Sequence, residues 1–150
     1  MMQERLIKGF AALLIGSAIN FFGDRVLGVQ IELFYGLQTF SFAWMLDVFA
    51  LPFIVGLATG AVFGMGGKWL CYFPPLFVRA ISYYQLAHAA ALPPDSSLLV
   101  MGYWGFFVIL AMEAAAFGGI AGEIIVKGTY GRSAPEAIYK KRADDGEGDS

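Results

Sequence analysis

The chain of 150 residues is 58% hydrophobic and only 15% charged, with a formal net charge of −2 and a mean hydropathy of +0.64. A water-soluble domain carries about 25% charge, so this composition excludes an ordinary soluble domain. The slight negative balance, with no basic stripe interleaved with aromatics, excludes nucleic acid as a partner.

Arg5 and Lys8 precede an apolar run, which predicts a first spanning helix over 6–22. It is barely long enough for a hydrocarbon core of about 30 Å. With no small-x-small cleavage site after it, the segment reads as a retained signal-anchor. Residues 23–41 are neither polar enough for a free loop nor apolar enough to span. Leu27, Ile31, Phe34 and Gln38 fall at helical spacing, while Val29, Ile31, Leu33 and Tyr35 alternate as in a strand. The expectation is an interfacial, partly re-entrant segment, with a short strand as the alternative.

A second spanning helix is predicted over 42–65, where Gly56, Gly60 and Gly64 recur every four residues. Each glycine would cost about 1 kcal/mol in a water-soluble helix. In lipid the same stripe lets another backbone approach closely. The third predicted helix, 70–92, is the most polar and has Pro74 and Pro75 near its start. Arg79, Ser82, Tyr83, Gln85 and His88 form a broad polar arc along one side of it.

Pro93-Pro94-Asp95-Ser96-Ser97 reads as a turn, with Asp95 or Ser96 positioned to cap the next helix. That fourth helix, over 98–126, repeats the small-residue spacing at Ala114, Gly118 and Gly122. From Gly128 the chain is basic at Lys140-Lys141-Arg142, then acidic, with almost nothing apolar to bury. Residues 1–127 thus form one membrane domain and 128–150 a disordered cytoplasmic tail.

With four spans, Arg5, Lys8, Lys68, Lys127 and the basic tail all share one side, which the positive-inside preference makes cytoplasmic. Trp44, Tyr103 and Trp104 then mark the outer boundary, and Trp69 and Tyr72 the inner one. The expected class is an all-α integral membrane protein, a four-helix bundle with both termini cytoplasmic in a bacterial cytoplasmic membrane.

Three ionisable groups are embedded, at a cost of about 2.5–3.5 kcal/mol each on insertion scales. At about 1.5 Å per residue from Lys68 and Lys127, Arg79 lies about 16 Å deep and Glu113 about 21 Å deep, which predicts an Arg79–Glu113 ion pair. Asp47 sits nearer the outer face. Nine residues turn a helix by about 180°, which sets Asp47 opposite Gly56 and Glu113 opposite Gly122. The two small-residue faces are expected to pack on each other or on another chain.

No catalytic set and no metal site can be assembled. His88 is the only histidine, and Cys71, the only cysteine, has no neighbouring histidine and reads as inert or acylated. No cofactor is implied. Two readings follow. The first is a non-catalytic subunit that assembles through its glycine faces with further copies or other membrane proteins in the lipid bilayer. The second is a small ion or proton channel or transporter using Asp47, Glu113 and the polar arc.

Overall fold

The computed structural model describes residues 1–131, with side chains described to Gly128, and 79% of those residues are helical. In chain order come α1 (Met2–Leu27), β1 (Leu33–Phe34), a 3-10 turn (Gly36–Thr39), α2 (Phe42–Phe63), a second 3-10 turn (Gly67–Tyr72), α3 (Phe73–Ala87), β2 (Ser97–Leu98) and α4 (Met101–Gly131). Three helices, α1, α2 and α4, are long and apolar enough to cross a membrane. At 15 residues, α3 is only about 22 Å long. Most of the tail predicted over 128–150 lies outside the described residues, and α4 itself continues to Gly131.

The centre of the bundle is α2, which is covered on two sides. On one side it meets α4 with almost no side chain between the backbones. A methyl group added at Gly56 would overlap the Ala115 carbonyl, and one at Gly118 would overlap the Phe53 carbonyl. Methyl groups at Gly60 and Gly122 would come within 2.6 Å of the Gly119 and Leu57 carbonyl oxygens. The small faces of the second and fourth helices therefore pack on each other within one chain. On the other side Gly16 and Gly23 of α1 receive Thr59 and Leu51 of α2.

Gly64 does not share in this packing. It ends α2 with a positive φ (83°) and open space where a side chain would be, because the chain must turn there into the 3-10 segment. Ala114 is half-buried, and its neighbour Ala115 makes the contact with Gly56.

Helix α3 begins at its two prolines, which need no N–H partner in a first turn. It runs beside α1 in the same direction: Leu70 lies against Gly9, Pro74 against Gly16 and Arg79 against Asp24. One end of this segment is anchored at the close of α2 and near Glu123 of α4, whose carboxylate accepts from the Gly66 and Lys68 amides at 3.0 Å. At the other end the Tyr83 hydroxyl donates to the Leu99 carbonyl.

The 23–41 segment is more buried than an interfacial helix would be. Ile31, Glu32 and Leu33 are inaccessible, and Leu33–Phe34 pairs antiparallel with Ser97–Leu98. The short strand is the alternative that occurs. Asp95 and Ser96 cap no helix; Asp95 takes a left-handed turn conformation (φ 59°) and β2 intervenes before α4. Trp44 is no boundary marker but a core residue, packed edge-on against Phe40 and Phe107.

Substituting Gly56→Ala should destabilise the bundle by at least about 1–3 kcal/mol, since the obstacle is backbone and cannot swing aside. Gly105→Ala, where nothing lies within 4 Å, should be neutral. Thermal unfolding in detergent compares the two, and equal midpoints would contradict the packing.

Candidate functional site

Near the loop end of the bundle, Arg79 of α3 is buried among three carboxylates drawn from three other segments. Its Nη2 donates to Asp24 Oδ1 of α1 at 2.7 Å and to Asp47 Oδ2 of α2 at 2.5 Å. Its Nη1 reaches Glu32 Oε1, in the loop before β1, at 3.5 Å. Arg79 is 2% exposed, Glu32 1% and Asp47 0%, so this is an interior cluster rather than a surface network.

Local winding delivers each group. Asn20 and Asp24 sit one turn apart on the face of α1 that also carries Gly9, Ala12 and Gly16. Asp47 lies in a π turn, Leu46–Ala50, just before Pro52. Proline has no N–H to donate back into the preceding turn, and the wider turn accommodates this. The π turn also breaks the count that set Asp47 opposite Gly56 on an ideal helix. Both residues are buried, Asp47 toward Arg79 and Gly56 toward α4.

The cluster carries three acids against one base. Arg25, next to Asp24 in the chain, is exposed and stacks over the Phe21 ring at 4.4 Å. Two carboxylate oxygens, Glu32 Oε2 and Asp47 Oδ1, are buried with no hydrogen-bond partner among the described residues. Both side-chain atoms of Asn20 and the Trp44 indole N–H share that condition.

Beside these groups lies a cavity of about 410 Å³, whose walls include Asp24, Glu32, Arg79 and Ser82. Exposed Gln30, Gln38 and Gln85 stand around it, which makes it a polar vestibule entered from the loop end. Deeper in the bundle Gly16, Thr59 and Pro74 close on one another.

The expected Arg79–Glu113 pair does not form. Arg79 is taken up by Asp24, Asp47 and Glu32, and Glu113 stands on the outward face of α4. The depth estimate placed both groups at similar levels, but depth says nothing of azimuth. His88 lies outside the cluster, exposed at the end of α3 with its Nδ1 against the Tyr84 carbonyl and its ring over the Tyr84 ring.

Asp24 and Glu32 are the members that sequence reasoning missed. The Asn20/Asp24 step, continuing the small-residue face of α1, is the signal that would have found Asp24; Glu32 left none. Cys71 is buried, donating toward the Gly67 and Gly56 carbonyls at 3.1 and 3.3 Å, which leaves no room for an acyl chain. Among the described residues no group of three or more metal-ligating side chains occurs.

Set against family models, curated proteins and solved structures, the chain matches none.

Burial pushes the Glu32 carboxyl above its ordinary 4.5, outweighing the opposing pull of Arg79. The folded state therefore holds this proton more tightly than the unfolded chain. The resulting stability is full below 4.5 and is lost as pH rises through the raised value. Glu32→Gln should remove that part of the dependence. Melting temperatures compared from about pH 4 to about pH 8 should fall more steeply for the wild type than for the variant, and parallel trends would contradict the assignment.

Proposed function

We propose that this chain is a four-span integral membrane protein that takes up protons or small cations at the Arg79 cluster, as the binding step of an ion- or proton-translocating function. The carrying observation is the imbalance of the cluster: two buried carboxylates and the part-buried Asp24 around one guanidinium, with two oxygens unpartnered among the described residues, beside a polar vestibule. A buried charge without compensation costs several kcal/mol. Arginine cannot give up its proton, so two further positive charges, as protons or cations, bring the site to neutrality.

Supporting the reading as a carrier rather than an open pore is the tight junction of Gly16, Thr59 and Pro74 beyond the cluster. Asn20, buried one turn deeper than Asp24 and without a hydrogen-bond partner among the described residues, offers the next polar step along the same face of α1. No catalytic role is part of this proposal. Nor is assembly through the glycine faces, because α2 and α4 occupy each other's.

The fourth span in this reading is α3 with the 3-10 turn before it. Its support is the placement of Lys68 near Glu123 at one end and of Tyr83 near Leu99 at the other. Arg5, Lys8, Lys68 and Lys127 then share one side, which we assign as cytoplasmic, with Arg25 opposite.

Single cysteines test the spans, with Cys71 left in place since it is buried. An impermeant maleimide should label Lys68→Cys and Lys127→Cys from one side of sealed vesicles and Ser96→Cys from the other. Lys68→Cys and Ser96→Cys labelled from the same side would refute the fourth span.

For the chemistry, proteoliposomes of the purified protein under an imposed gradient should carry protons or monovalent cations. Asp47→Asn, nearly isosteric, should reduce that flux to the level of empty liposomes. Wild-type flux at that level, or an unimpaired variant, would overturn the reading.

A further inference from the structure

Helix α4 carries a feature that the cluster does not use. Its outward face presents Phe106, Ile109, Glu113, Phe117, Ile120 and Ile124, separated by steps of three and four and all exposed. That is the spacing of a continuous helix–helix seam. Glu113 interrupts it twelve residues after Met101 and fourteen before Lys127, about 18 Å and 21 Å from those ends. It therefore lies near the middle of the apolar run.

A carboxyl here faces a problem in either form. Ionised, it is a charge turned toward lipid. Neutral, it presents an O–H donor and a carbonyl acceptor that hydrocarbon cannot satisfy. Among the described residues Glu113 has no hydrogen bond and no ion pair. The exposed cations of the described surface, Arg5, Lys8, Arg25, Lys68 and Lys127, all lie within two turns of an element's end.

A neutral carboxyl is donor and acceptor at once, so it is complementary to another copy of itself at the same height. A two-fold axis along the membrane normal places two such groups together automatically. Apolar contact alone gives little preference for protein over lipid, whereas a central polar pair supplies both preference and register.

We infer that α4 packs along this seam against α4 of a second copy of the chain, with the two Glu113 carboxyls hydrogen-bonded to each other at the interface. This rests on the reading of α4 as a membrane span and on none of the cluster chemistry. The assembly expected of the glycine faces thus moves to a face that the fold leaves uncovered.

Oxidative cross-linking of single cysteines in native membranes tests it. Ile109→Cys and Phe117→Cys should give disulfide-linked homodimers, and Phe22→Cys, exposed on α1, should not. Adding Glu113→Leu to either should lower the yield about tenfold, while Glu113→Gln should retain it, because an amide also donates and accepts.

Yields no higher than at Phe22→Cys, yields indifferent to Glu113→Leu, or cross-links to a different protein would each overturn the inference. The sided labelling of Ser96→Cys and Lys127→Cys reports separately on whether α4 crosses, so failure of the span and failure of the interface are distinguishable.

Discussion

The fold is organised around a charge that cannot be discharged. A lysine or carboxylate taken out of water can change its protonation state, but a guanidinium stays charged. Arg79 is 2% exposed, so every element near it must supply compensation. Asp24 ties it to α1, Asp47 to α2 and Glu32 to the loop leading into the two-stranded pairing. Removing one carboxylate would still leave others, whereas replacing the arginine would leave three acids facing one another.

A second constraint acts on the other side of α2, and it is steric. At Gly56, Gly60, Gly118 and Gly122 the backbones of α2 and α4 come so close that a methyl group has no room. Packing of this kind depends on shape rather than on excluding water, so it operates in lipid, where the hydrophobic drive between helices is absent. The same helix thus serves two different cohesive forces, contact toward α4 and charge toward α1 and α3. The π turn lets it do so by moving Asp47 off the phase that a regular helix would impose.

Much of this architecture was legible because it is written in local pattern. The apolar runs and the small-residue spacing at Gly56, Gly60, Gly118 and Gly122 placed the second and fourth helices to within about five residues and marked the two close-packing faces, leaving open whether they meet each other or another chain. What was not legible depends on long-range geometry. Glu32 lies in a segment without a clear period, and its burial follows from the pairing of Leu33 with Leu98, far apart in the chain. The partner of Arg79 was misassigned because helical rise gives depth but not direction. Trp44 was misplaced because an aromatic near a helix end serves equally as an anchor or as core, and Phe40 and Phe107 decide which.

The order of residues around the cluster bears on how such a protein enters its membrane. Asp24, Glu32 and Asp47 all precede Arg79 in the chain and leave the ribosome first. An acid that arrives early can wait in the bilayer as a neutral group, holding its proton until a partner comes. Arginine has no neutral form in which to wait. With the arginine last, the least apolar helix of the proposed four spans meets a site where the carboxyls that compensate it already stand. On the proposed four-span reading, that helix is inserted as a guest of its predecessors rather than on its own hydrophobicity.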